Sequence, residues 1–234
     1  MAHPLAVPLA DGAWRLPTVR GPWLNTFVFA QGPGREVTLV DTGLPGAPKR
    51  VLAGLAAIGR MPSDVRRIVV THAHPDHAGG AAALAAATGA PVALHGDDVS
   101  FALAGAGPRF DPSTRGGRIM ARLGKGTFPP VAVAEELTDG QVLDGGLHVL
   151  ATAGHTPGHV ALLHEPSGVL VVGDALMNVG RMRVSPRALC NDARLCRQTV
   201  RRLAEVDHSV LAFSHGPSVA DGAALGAHLR TALV

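Results

Sequence analysis

The sequence contains no tyrosine, and aromatic residues make up 3% of its 234 positions. The core must therefore be assembled from alanine, valine and leucine, and no phenol is available for catalysis or substrate binding. Cysteine occurs twice, at Cys190 and Cys196. Two thiols exclude a disulfide-framed scaffold. Six apart on an expected helix, they fall on different faces, which argues for free thiols in a reducing compartment. No segment approaches ~20 uninterrupted apolar residues, so no membrane span is expected. Met1 to Asp11 lacks the basic start and apolar run of a secretory signal, and a cytoplasmic location is expected. Basic runs with interleaved aromatics are also missing. Arg66-Arg67 and Arg201-Arg202 are isolated pairs, and the net charge is only +3. A nucleic-acid partner is disfavoured, and a small molecule is the expected partner.

Hydrophobic residues form 47% of the chain and charged residues 17%. That balance fits a folded chain, read as a single domain over 1–234. A hairpin is expected from Asn25–Ala30 and Arg35–Val40 around Gln31-Gly32-Pro33-Gly34. Helices are expected over Pro48–Gly59, Gly80–Thr88, Asp97–Leu103, Pro186–Val206 and Ala220–Leu233. Short strands are expected over 67–71, Pro91–Leu94, Val131–Leu137, Gln141–Leu143, Leu147–Ala151, Val160–His164, Val169–Val172 and Val210–Phe213. Helices with many short strands suggest an α+β fold of two sheets stacked between helical layers. Residues 104–130 are rich in Gly, Pro and Arg and read as a flap or insertion beside the site.

The densest chemistry is His72-Ala73-His74-Pro75-Asp76-His77. Three imidazoles and a carboxylate in six residues are ligand types that suit zinc and its neighbours. They follow the expected strand 67–71 and precede Gly79-Gly80, which puts them on a strand-to-helix turn. Four more ligand-type residues follow expected strands: Asp41, His155, Asp174 and His215. Side chains at strand ends are exposed yet fixed on rigid scaffold. Asp41 aside, these seven ligand groups exceed the four of a closed structural zinc site. Two open metals sharing a carboxylate and a water would use them all, and would make hydroxide available at neutral pH.

In order along the chain, His-x-His-x-Asp-His at 72–77, Gly154-His155-Thr156-Pro157-Gly158-His159, Val172-Gly173-Asp174 and Ser214-His215-Gly216 resemble the metallo-β-lactamase superfamily, nearest its glyoxalase II-like branch. The resemblance implies an αββα four-layer sandwich with the site at one edge of the two sheets. It implies that His72, His74 and His155 hold one metal, that Asp76, His77 and His215 hold a second, and that Asp174 bridges both. The ions would be divalent, zinc first, with iron or manganese as alternatives. His159 and Asp41 would support these ligands from behind, Asp41 by orienting a histidine. The implied activity is hydrolysis of an ester, thioester or lactone by a hydroxide bridging the metals, with Asp76 shuttling the proton.

Three alternatives stand beside it. One is a mononuclear iron persulfide dioxygenase using His72, His155 and Asp174, and another is a phosphodiesterase or nuclease. The third is a non-catalytic metal-binding module. Asp174 argues against a true β-lactamase. Missing tyrosine argues against close kinship with acyl-homoserine-lactone lactonases or authentic glyoxalase II. Val179-Gly180-Arg181 weakly resembles a segment that grips glutathione in related enzymes, and Arg181 and Arg183 are expected to meet a carboxylate or phosphate.

Overall fold

The computed structural model describes residues 3–124, 126–222 and 226. Its first sheet is laid down in chain order: β1 (Val7–Ala10), β2 (Ala13–Pro17), β3 (Asn25–Ala30), β4 (Val37–Val40), β5 (Val65–Val69), β6 (Val92–His95) and β7 (Glu135–Leu137). Strands β1 to β4 are antiparallel neighbours, and β4 to β7 run parallel. The parallel crossovers carry α1 (Pro48–Ala57), α2 (Pro75–Ala78), α3 (Ala81–Thr88), α4 (Gly96–Ala104) and α5 (Arg115–Leu123). The second sheet contains β8 (Val142–Leu143), β9 (Leu147–Ala151), β10 (Val160–His164) and β11 (Val169–Val171). A hairpin of β12 (Leu176–Val179) and β13 (Arg181–Val184) follows, then α6 (Ala193–Leu203) and β14 (Val210–Ala212), which joins β11 in parallel.

Alternation of side chains along the strands makes the layers. Phe27, Phe29, Val40 and Val69 of the first sheet meet Leu147, Val149, Leu162 and Val171 of the second in one buried cluster. The outer face of the first sheet, with Leu39 and Ile68, packs on Val51 and Leu55 of α1 and Leu84 of α3. The outer face of the second, with Ala161 and Leu170, packs on Val200 and Leu203 of α6. The result is the expected four layers: helices, sheet, sheet, helix.

Helix ends follow local chemistry. Pro48 opens α1, where its missing N–H costs nothing. Gly89, at φ 74°, closes α3. Asp192 caps α6, its Oδ1 accepting from the N–H groups of Arg194 and Leu195 at 2.9 and 2.8 Å.

Several expectations need correction. The stretch 186–206 is not one helix. A 3-10 turn at Arg187–Leu189 precedes Asp192, and α6 starts only at Ala193. Cys190 therefore lies before the helix, and with Cys196 and Ala193 it forms one buried cluster. The helical-wheel argument that separated the two thiols fails, although both are free. The expected strand 67–71 is shifted to Val65–Val69, and 131–137 is a strand only from Glu135. Strands β1 and β2, joined at Asp11-Gly12, and the hairpin β12–β13 were not expected. Residues 104–130 include the regular helix α5, whose cap is Thr114 Oγ1 accepting from Gly117 N at 2.9 Å. The expected closing helix Ala220–Leu233 lies largely outside the described residues.

Candidate metal centre

Strand direction gathers the ligands. β4, β5 and β6 run parallel, so Asp41 and the 72–77 stretch leave the first sheet at one edge. In the second sheet β9 and β11 are both antiparallel to β10, and β14 is parallel to β11. His155, Asp174 and His215 therefore leave β9, β11 and β14 at a common edge. Two backbone bonds stitch the sheets together there, Val160 N to Thr71 O at 3.0 Å and Asn25 N to Ser214 O at 2.9 Å.

At that edge the ligand atoms converge in sets whose members lie within 4.8 Å of one another: His72, His74 and His155; His72, His77 and Asp174; and Asp76, His77 and His215. His74 Nδ1 is 3.0 Å from His155 Nε2. Asp174 faces both outer sets. Its Oδ2 is 3.5 Å from His155 Nε2, and its Oδ1 is 3.3 Å from both His77 Nε2 and His215 Nε2. Asp76 Oδ2 is 3.3 Å from His215 Nε2.

These residues fit a cation better than they fit one another. His72 Nε2, His77 Nε2 and Asp174 Oδ1 are buried without a hydrogen-bond partner, all pointing into the cluster. Buried polar atoms left unpaired cost about 1–3 kcal/mol each, so a convergent group of them implies a missing partner. The orphans are imidazole nitrogens and a carboxylate oxygen, donor types that suit a metal ion.

Protonation divides the histidines. Burial, reinforced by the neighbouring His77, His155 and His74, holds His72 well below the usual imidazole range. Burial also holds His155 down against the pull of Asp174. Both present free lone pairs at neutral pH. For His215 burial is outweighed by the adjacent carboxylates of Asp174 and Asp76, which push it up to about 10. His77 is likewise raised, against burial, by Asp174, Asp41 and Asp76. Without cations, both are charged at pH 7, and a metal must displace their protons. Uptake of divalent cations at pH 7 is therefore expected to release at least two protons per chain, one each from His77 and His215, and a further one where bound water ionises. Calorimetry in buffers of different ionisation enthalpy reads this number, and release near zero would contradict it.

Several ligands are held from behind. Asp41 is fully buried and is the one described non-glycine residue with positive φ, at 61°, a conformation that aspartate tolerates. Its Oδ1 accepts from Thr71 N at 2.8 Å, and its Oδ2 lies 2.8 Å from His77 Nδ1. That contact orients His77 so that Nε2 faces the cluster. His159 does not point a nitrogen at the cluster centre. Its Nε2 accepts from Asp174 N at 2.9 Å, and its Nδ1 is 2.8 Å from Thr152 Oγ1. Burial pushes His159 down to about 4, which keeps Nε2 unprotonated for that role. Gly173, at φ 51°, is required here, because a Cβ would meet His159 and Thr71.

Three supporting residues were missed by sequence reasoning. Thr71 Oγ1 is 3.0 Å from His72 Nδ1, and Ser185 Oγ is 3.1 Å from His155 Nδ1. Asp98, fully buried on α4, accepts from Ala73 N at 2.9 Å and Gly158 N at 2.7 Å. One carboxylate thus ties the loop of His72 and His74 to the loop of His155 and His159. A hydroxyl next to a ligand was a signal available at Thr71. Asp98, one of two adjacent aspartates, carried none.

A cavity of about 330 Å³ opens over the cluster, reached by His74, Asp76, His155, Asp174 and His215. Arg181 and Arg183 are not among its lining residues. They pair with Val179 and Met177, which do line it, and directly paired residues project from the same side of a hairpin. The two arginines therefore stand one strand farther out, exposed.

The metallo-β-lactamase superfamily model matches residues 21–215. A Bacillus subtilis protein, YobT, is 33% identical over 64% of this chain and 61% of its own length. A hydroxyacylglutathione hydrolase of Anaeromyxobacter dehalogenans is 36% identical over 67% of this chain and 48% of its own. The chain thus spans roughly half to three fifths of these relatives. A B3 metallo-β-lactamase with an active-site glutamic acid superposes with a TM-score of 0.76 at 22% identity, covering 99% of this chain and 88% of that one. The fold, the convergent histidines and aspartates and the match across most of its length together show that the chain belongs to the metallo-β-lactamase superfamily.

Proposed function

We propose that this metallohydrolase cleaves an acyl bond, in an ester, thioester or lactone, of a small molecule, and that it works with two divalent cations. One observation carries the reading: the Asp174 carboxylate turns one oxygen toward His155 and the other toward His77 and His215. Such cations, zinc by preference, would supply a nucleophile from water at neutral pH and polarise a carbonyl oxygen.

The chain's own residues supply the rest. His72, His74 and His155 would hold one ion, and Asp76, His77 and His215 the other. Asp76 is the site carboxylate with access to water, its side chain 34% exposed against 5% for Asp174. It is the group that can pass a proton to solvent. The neighbouring histidines outweigh its burial and push it down to about 2, so it is ionised at neutral pH. Arg181 and Arg183, exposed beyond the cavity wall, would meet an anionic group on the departing half of the substrate. The partner is then a small molecule rather than a nucleic acid or a membrane, met in the cytoplasm.

Elemental analysis of the purified protein, with hydrolysis assays on an ester, thioester and lactone panel, tests the reading. Two divalent ions per chain and metal-dependent turnover are expected. One iron per chain with oxygen uptake on a persulfide would instead support the dioxygenase alternative. Full occupancy with no turnover on the panel would overturn the acyl-bond reading.

A further inference from the structure

Resting on that hydrolase reading, we infer that the acyl half of the substrate is an uncharged aliphatic chain. The cavity over the ligands has a wall of five apolar side chains: Pro75, Phe110, Met177, Val179 and Leu189. They arrive from four separate places, namely α2, the loop before α5, β12 and the 3-10 turn before α6. Apart from the ligands themselves, no charged or hydrogen-bonding side chain among the described residues lines this space, so an anionic acyl terminus laid along the wall would be desolvated without a counter-charge. The absence of tyrosine leaves no phenol to bind a polar acyl group.

The wall is also unusual in its exposure. Val179 is 37% exposed although it faces a cavity continuous with buried ligands. Apolar surface left uncovered at the mouth of a polar site is what an apolar ligand would cover. Met177, 8% exposed on the same face of β12, continues the strip inward. Phe110 holds its place because the next residue is pinned. Asp111 N donates to Cys190 O at 2.7 Å, and Asp111 Oδ2 accepts from Ala193 N at 3.1 Å. The wall is therefore built on anchored backbone, with its shape set before a substrate arrives.

Each methylene entering such a wall should strengthen binding about fourfold, the transfer value of one CH₂. The test uses the metal-loaded protein and straight-chain esters from acetyl to octanoyl with one leaving group. kcat/KM is expected to climb about fourfold per methylene until the cavity is filled, then level. Straight-chain methyl ketones, which have no bond to hydrolyse, should show the same slope in Kd by calorimetry, with or without cations. Val179→Lys should lower the octanoyl-to-acetyl ratio at least tenfold. A flat chain-length profile, or preference for a succinyl over a butyryl ester, would overturn the inference while metal-dependent hydrolysis left the hydrolase reading intact. No hydrolysis of any ester, thioester or lactone, together with ketone binding that tightens with length, would sink the hydrolase reading and keep the aliphatic site.

Discussion

Asp174→Ala is expected to lower bound metal to one ion per chain or fewer and to reduce hydrolysis about 10³-fold, some 4 kcal/mol of barrier. The carboxylate faces both ligand sets, and its loss leaves two positively biased histidines without the group that draws them together. His215 and His77 owe their raised pKa values first among the carboxylates to Asp174. The variant should therefore also release fewer protons when metal is added. Asp174→Asn keeps the shape and the backbone bond to His159 but removes the charge, so it should fold as the parent does while binding metal weakly. Retention of two ions and full turnover in Asp174→Ala would defeat the bridging role given to this carboxylate. Metal analysis and thermal melts of both variants, run with and without chelator, separate loss of ligand from loss of fold.

Asp98→Ala is expected to weaken metal binding about 10–100-fold without touching a ligand. It would leave the N–H groups of Ala73 and Gly158 buried and unpaired, at about 1–3 kcal/mol each. The metal-free protein should accordingly lose about 2–6 kcal/mol, or roughly 4–24 °C in melting temperature for a chain of this size. Asp98→Asn restores one acceptor but turns its amide against the other N–H, so it should fall between alanine and the parent. Asp97, exposed next door, provides the control, and its alanine variant should stay within about 0.5 kcal/mol. A chelator competition that gave all four proteins the same metal affinity would show that the two loops need no common brace.

Much of this site was legible because its residues carry their chemistry in their types. Three histidines and an aspartate in six residues have no ordinary packing explanation, and His155, Asp174 and His215 each follow a largely apolar strand run and come directly after a glycine or serine. Asp41 was legible as a support for the same reason. Asp98 was not, since its role depends on α4 being laid across two loops that are 85 residues apart, from Ala73 to Gly158. The helix α5 was hidden by its own glycines. Gly116 and Gly117 weaken a helix by propensity, but a Cβ at Gly116 would collide with Ala188, and one at Gly117 with the Asp111 carbonyl. Tertiary approach, not propensity, chose those residues. Asp192, an acceptable N-cap by type, sat inside an otherwise periodic run and did not announce the break that moves Cys190 off the helix. Asp11-Gly12 was a usable turn signal between two short strands.

The ligand-bearing loops leave different sheets, and among the described residues few backbone bonds join the halves at that edge: Val160 N to Thr71 O, Asn25 N to Ser214 O and, beside them, Gly216 N to Pro22 O. A cation seated there would act as a removable crosslink between the halves of the chain. At a thousandfold excess over its Kd it would add about 4 kcal/mol to the folded state. Cation supply would then govern more than turnover. A chain deprived of metal would open more often at this seam and present its apolar inter-sheet layer to proteases, so that scarcity would shorten the lifetime of the protein as well as silence it.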